Sequence, residues 1–368
     1  MEAIELLRKL ISVNSIYPKE TELAELLEQY LRNIGFSTER QYVSANRFNI
    51  FAQRGEGDRS ILFYGHMDTV PIYGKWKNNP FELITEGDRL RGLGAWDMKS
   101  GIAGVLKAVE ECKNRKIKII FGVDEENISE GAFQAIKKKE FFEDVEGVIV
   151  TEAGNSEKGS LGTKMITLGR RGRCVYLIEI EGTSAHGATN KGENAILSAA
   201  KIIQFLESQN LKEHPHLPRA NQFVRKVHSE VEGVSIPDKA IIELDRHLVP
   251  PETNSSVLKE LVEQMKQFEN DKLRINVSIK ERKTPYLEPY ITDRNNSFVE
   301  KIAEIIKNKY GEVNYNYALS VADENAFASL GLPVVTMGPT GEGDHSSEEW
   351  VSKESYLELI EVLKEIIE

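Results

Sequence analysis

The sequence predicts an α/β protein with a mostly parallel sheet, interrupted by a ferredoxin-like α+β insert. Two observations predict it. Up to about Thr151 apolar strands alternate with stretches of helical periodicity, and that alternation returns after Pro289. Between about Gly172 and Lys280 the order becomes strand, helix, strand, strand, helix, strand. A chain of 368 residues is too long for one small core, and two domains are expected. The expected boundaries are 1–171 and 284–368 for the interrupted domain and 172–283 for the lid-like insert, a plausible domain at ~110 residues.

The elements follow in order. Ile4, Leu7 and Leu10 fall at helical spacing between Glu2 and Ile11. Thr21 is placed to cap a second helix carrying Ala24, Leu27, Leu31 and Ile34, which Gly35 ends. Strands are expected at Phe48–Gln53 and Ser60–Tyr64, then a helix after Asp97 with Ala103, Leu106 and Val109 inside. Ile117–Val123 reads as a strand, Glu130–Lys138 as a helix and Gly147–Thr151 as a strand. In the insert, strands are expected at Cys174–Ile180, Phe223–Glu230, Ala240–Arg246 and Leu273–Lys280, with helices at Asn194–Leu206 and Ser255–Phe268. Arg282–Tyr286, followed by Pro289, reads as the exit linker. Helices at Ser297–Lys307, Glu324–Leu330 and Glu354–Ile367 and a strand at Pro333–Met337 complete the chain.

Composition narrows the function. A net charge of −11 argues against broad nucleic-acid binding and against an anionic membrane surface. No apolar run approaches the ~20 residues of a membrane span. Only two cysteines, Cys112 and Cys174, suit a reducing compartment. With an acidic start, Met1-Glu2-Ala3-Ile4-Glu5, the expected location is the cytoplasm.

The chemistry gathers at strand ends. Ser60–Tyr64 runs into Gly65-His66-Met67-Asp68, and residues two apart in a strand face the same way. Ile117–Val123 runs into Asp124-Glu125-Glu126, Gly147–Thr151 into Glu152, and Pro333–Met337 leads through Gly338 to Asp344-His345. Open α/β sheets bind ligands outside the carboxyl ends of their strands. Each feature alone reads as a solvated turn or a surface histidine. Together, and with Asp97 opening a helix, they suit a metal site. Two histidines and three carboxylates suit two ions sharing a carboxylate better than one ion, and one acid of Glu125-Glu126 is then free as a general base.

These motifs make the chain resemble the zinc-dependent aminoacylase, acetylornithine deacetylase, succinyl-diaminopimelate desuccinylase and glutamate carboxypeptidase family of metallohydrolases. The resemblance rests on Gly65-His66-Met67-Asp68, Gly94-Ala95-Trp96-Asp97-Met98-Lys99-Ser100-Gly101, Asp124-Glu125-Glu126, Thr151-Glu152-Ala153 and Asp344-His345, and on the insert. It implies that Asp97 bridges two divalent ions, zinc or alternatively cobalt. His66 and Glu152 would complete one site and Glu126 and His345 the other. Asp68 would orient the His66 ring. Glu125 would be the general base.

The insert adds candidates by the same resemblance. His186, in Gly182-Thr183-Ser184-Ala185-His186-Gly187, would reach the partner subunit's site in a homodimer and stabilise an oxyanion. Arg246, in Asp245-Arg246-His247-Leu248-Val249-Pro250-Pro251-Glu252, would fork onto the substrate carboxylate; otherwise it makes a surface salt bridge. Gly338 would present a backbone amide. His247, Pro251 and Ser235 depart from the family pattern, and all three lie in the insert. Glu at 152 looks more like the deacylases than the peptidases. The expected substrate is therefore an N-acyl amino acid, of the acetylornithine, acetyl-lysine or succinyl-diaminopimelate type. A carboxypeptidase or dipeptidase acting on short peptides is the alternative within enzymes. An inactive amino-acid-binding protein is the alternative outside them. His214, His216 and His228 read as loop residues, and Trp76 and Trp96 as packing.

Overall fold

The Ser60–His66 strand occupies the middle of the main sheet because all seven of its residues are buried, which only a strand covered on both faces allows. The computed structural model describes residues 1–112, 115–152, 161–189 and 191–368. Its chain packs as two units, Met1–Arg170 with Ile291–Glu368, and Arg171–Tyr290. Across the first unit's sheet the strands run Ser37–Tyr42, Phe48–Arg54, Ile117–Gly122, Ser60–His66, Val145–Val150, Val334–Thr336 and Met165–Arg170; Asn314–Ala318 also pairs with the last. The four central strands, from Ile117–Gly122 to Val334–Thr336, are mutually parallel, so their carboxyl ends share one edge.

Helices cover this sheet with their apolar stripes. Ala3–Ile11 buries Leu6, Leu7, Leu10 and Ile11. Ser100–Glu111 and Lys353–Ile367 pack on each other and share one core with the sheet. The start of Ser100–Glu111 lies so close to the Val145–Val150 strand that a Cβ on Gly101 would fall 1.7 Å from the Thr151 carbonyl oxygen. A short antiparallel sheet ties the two pieces of the unit together. In it Trp350–Ser352 lies between Arg89–Arg91 and Gly341–Glu342.

The second unit is an antiparallel sheet in the order Asn221–His228, Lys239–Leu248, Gly172–Glu181, Arg274–Ile279. Helices Ala195–Glu207 and Asn254–Met265 complete the ferredoxin-like order. Asn194 caps the first through the Ile196 and Leu197 amides, and Thr253 with Ser256 forms a capping box on the second. The 284–290 segment stays with this unit: Tyr286 packs on its core, and the Leu287 carbonyl accepts the Arg173 amide at 2.9 Å.

Several local expectations change. Thr21 begins its helix instead of capping it, and its hydroxyl donates to the Asn46 carbonyl at 2.8 Å. The strands Ser37–Tyr42 and Asn314–Ala318 were not expected, being polar runs partly open to solvent. Met165–Arg170 and the short antiparallel sheet are also additions to the sequence reading. Cys112 and Cys174 are free and buried. Among the described residues no helix is long and apolar enough to cross a membrane.

Candidate metal centre

The shared edge of the parallel strands gathers the candidates. His66 is the last residue of its strand and is 1% exposed. Its Nε2 lies 3.0 Å from Asp97 Oδ1. His345, held at φ 57° in the loop after Val334–Thr336, places Nε2 3.5 Å from Asp97 Oδ2 and 3.0 Å from Glu126 Oε2. Asp97 thus turns one carboxylate oxygen to each histidine. Asp97, Glu126 and His345 offer ligand atoms all within 4.8 Å of one another, the one such group among the described residues. His214, His216 and His228 form no comparable cluster there.

Asp68 differs from expectation. The close partner of His66 Nδ1 is the Asp68 carbonyl oxygen at 3.0 Å, whereas its carboxylate lies 3.8 Å away. That carboxylate instead accepts the amides of Glu125 (3.2 Å) and Glu126 (2.9 Å). It fixes the turn that carries the two acids, and the ring is oriented by backbone.

Glu152 follows the Val145–Val150 strand; Ala153, which completes its motif, lies outside the described residues. Arg170 Nη2 donates to Glu152 Oε1 at 3.3 Å. Arg170 is itself 1% exposed and is fastened by Glu324, which is fully buried. Glu324 Oε1 accepts Arg170 Nη2 (2.7 Å), Arg170 Nε (3.0 Å) and the Thr336 hydroxyl (2.6 Å). Glu324 Oε2 has no hydrogen-bond partner among the described residues.

The electrostatics fit a cation. Burial pushes the Glu125 carboxyl well above its ordinary range, with Glu126, Glu152 and Asp323 adding repulsion against the attraction of His66. Burial, with Glu324 repelling, raises Glu152 to about 8. Hydrogen bonds to Asp97 and Glu126 hold His345 up at about 11. Burial would raise Asp97, but His345 and His66 hold it below the ordinary carboxylate range. Crowded, part-buried carboxylates beside two imidazoles form a mixed N/O donor set that a divalent ion neutralises.

Of the remaining candidates, the second unit holds His186 and Arg246 and the first holds Gly338. His186 is exposed, and its Nδ1 accepts the Ala188 amide at 3.2 Å, which leaves the ring proton on Nε2. Arg246 is 3% exposed, and no surface pair. Its guanidinium engages Glu252, and its Nη1 donates to Gln222 Oε1 at 2.8 Å. Gly338 is buried, just beyond Val334–Thr336.

Sequence reasoning missed Arg170, Glu324 and Glu349. Glu349 is 2% exposed and accepts the amides of Gly94 (2.8 Å), Trp96 (2.9 Å) and Asp97 (3.1 Å). In Ser346-Ser347-Glu348-Glu349 it reads as one of a solvated acidic pair. The signal that could have found it is the apolar Trp350-Val351 directly behind it, which marks where the loop turns inward.

Comparison with known proteins agrees with this architecture. The model of peptidase family M20/M25/M40 matches residues 62–368. A succinyl-diaminopimelate desuccinylase of Nitratiruptor sp. is 26% identical over 100% of this chain and 99% of its own length. The aminopeptidase PepT of Bacillus cereus superposes with a TM-score of 0.78 at 18% identity, covering 99% of this chain and 97% of that one. The YXEP protein of Bacillus subtilis, described as a dinuclear metal binding peptidase, superposes with a TM-score of 0.75 at 18% identity, covering 99% and 96%.

Proposed function

This chain belongs to peptidase family M20/M25/M40, and we propose that it hydrolyses the amide bond of an N-acyl amino acid. The substrate is of the succinyl-diaminopimelate, acetylornithine or acetyl-lysine type. The observation that carries the reading is Asp97, whose two oxygens face His66 and His345 separately. A carboxylate set this way serves two ions at once. The full-length desuccinylase relative supports the substrate class. So does Glu152, which looks like the deacylases at its position.

His66, Asp97 and Glu152 would hold one divalent ion, and Asp97, Glu126 and His345 the other, with zinc or cobalt suited to such donors. Bound there, two ions supply Lewis acidity toward a carbonyl and an acidified water. The chain's own residues do the rest. Glu125 takes a proton from the attacking water as its oxygen bonds to the acyl carbon. When the C–N bond breaks, Glu125 returns that proton to the leaving nitrogen, giving a carboxylate and an amine. Asp68 keeps the base in place by accepting its amide. Arg246 is the candidate dock for the substrate carboxylate, where substrate would replace Gln222 as its partner. Gly338 is the candidate for a backbone contact to substrate.

The proposal includes a homodimer through the inserted unit, in which the partner subunit's His186 donates its Nε2 proton to the oxyanion. A fully active monomer in solution would remove that role. The test of the whole reading is amine release from N-acetylornithine, N-acetyl-lysine, N-succinyl-diaminopimelate and unblocked dipeptides by zinc- or cobalt-loaded protein, with a chelated control. Chelator-sensitive turnover of the acylated amino acids is expected. Turnover of dipeptides alone would overturn the deacylase reading in favour of a peptidase.

A further inference from the structure

Glu349 lies four residues beyond His345, on the same loop, yet its carboxylate serves a different stretch of chain. Oε2 accepts the Gly94 amide at 2.8 Å, and Oε1 accepts the amides of Trp96 at 2.9 Å and Asp97 at 3.1 Å. The segment it holds is the tight turn ahead of helix Ser100–Glu111, where Gly94 sits at φ +74° and Asp97 leaves helical geometry at φ −115°, ψ 94°. Such a turn leaves several amides pointing away from any helical acceptor. A buried carboxylate with two acceptor oxygens satisfies them together.

Two further contacts dock the same loops. Trp96 Nε1 donates to the Pro339 carbonyl at 2.8 Å. The Trp96 ring also lies so close to Gly341 that a Cβ there would stand 2.6 Å from it. The loop that delivers His345 therefore also holds the backbone of Asp97, the residue whose oxygens face both histidines.

We propose that Glu349 is a positioning residue: it fixes the direction of the Asp97 carboxylate, so that one side chain can bridge two divalent ions. The inference rests on the two-ion reading above. It assigns Glu349 no contact with substrate. Its effect runs through the Asp97 backbone, and it makes bridging depend on a residue outside the ligand set.

The test is ion binding by the full-length protein, stripped of metal and reloaded. Zn²⁺ titration by calorimetry gives stoichiometry and affinity. Loading with two equivalents of Mn²⁺ gives a paramagnetic resonance spectrum that reports whether two ions share a bridge. Glu349→Gln keeps the shape but has one acceptor oxygen and turns an NH₂ toward an amide donor, so a turn amide loses its partner. Expected is one Zn²⁺ bound as in wild type and the second weakened about 10–100-fold, with the exchange-coupled Mn²⁺ signal of wild type replaced by that of isolated ions. If E349Q does not fold, Glu349→Asp is read the same way, since its shorter reach strands the same amides. A variant that takes two Zn²⁺ with wild-type affinity and keeps the coupled spectrum overturns the inference alone. Wild-type protein that takes only one ion overturns the two-ion reading, and this inference with it.

Discussion

Replacing Arg170 with Met should destabilise the metal-free protein by about 3–5 kcal/mol, because it strands a buried carboxylate. Arg170 and Glu324 are 1% and 0% exposed. Two of the three donors on Glu324 Oε1 come from Arg170, at 2.7 and 3.0 Å, and only the Thr336 hydroxyl remains without them. Each charge-assisted bond of this kind is worth about 1.5–3 kcal/mol, so losing both agrees with the cost of breaking a buried pair. Glu324→Gln in the Arg170→Met background removes the stranded charge and should recover much of the loss. The assay is urea unfolding, monitored by tryptophan fluorescence, of wild type, both single variants and the double. The expected coupling energy is about 2 kcal/mol or more. Single costs that sum to the double cost within about 0.5 kcal/mol would refute the reasoning, since independent sites add to that tolerance.

Three other perturbations test separate parts of the structure. Glu125→Gln should fold and bind ions yet lose about 10²–10⁴-fold in kcat, measured on whichever substrate the panel identifies; near-normal turnover removes Glu125 as the base. Gly101→Ala should cost at least about 2 kcal/mol in the same urea assay and weaken ion binding, because the added methyl meets the Thr151 carbonyl at 1.7 Å, one residue before Glu152. Burial would raise the Asp144 carboxyl, but Lys116 and Lys118 bring it down to about 2 from 3.8. Its stabilising contribution is therefore complete above about pH 4 and is lost as pH falls toward 2. Asp144→Asn should flatten that acid limb by about 1 kcal/mol or less, solvent screening taking up part of the ion-pair gain, read from urea midpoints across the range.

What was legible in the sequence were residues whose surroundings are local. His66, Glu125, Glu126 and Glu152 lie directly after apolar strands, and a parallel sheet aligns strand ends by construction, so the pattern alone brings them to one edge. The insert was legible because its alternation changes rhythm at Gly172. Residues that act through distant partners stayed hidden. Arg170, in Gly169-Arg170-Arg171-Gly172, looks like a charged turn until Glu324 arrives beside it. Asp68 sits two residues from His66 and invites pairing with that ring, yet the unfilled amides of Glu125 and Glu126 take its carboxylate. Arg246 reads in the sequence as a fork for a carboxylate, and the two residues that hold that fork, Glu252 and Gln222, carry no sign there of being its partners. The Ser37–Tyr42 strand has no apolar face because it lies at the sheet edge, where pairing and not burial defines it.

The place of Val334–Thr336 between Val145–Val150 and Met165–Arg170 has a consequence for how the protein is made. Both neighbours leave the ribosome long before the strand that separates them. At roughly 5–20 residues per second, the delay is on the order of ten to forty seconds. During it Val145–Val150 faces an open slot with its outer edge unpaired, and Met165–Arg170, whose strand partners Tyr290–Ile291, Asn314–Ala318 and Val334–Thr336 all come later, has no strand to pair with. The inserted unit, with its own core, can fold in that interval, while the slot invites pairing with the wrong strand or the wrong chain. Yield in a cell should therefore depend on a holding chaperone, and synonymous codons that slow translation between residues 291 and 334 should lower it.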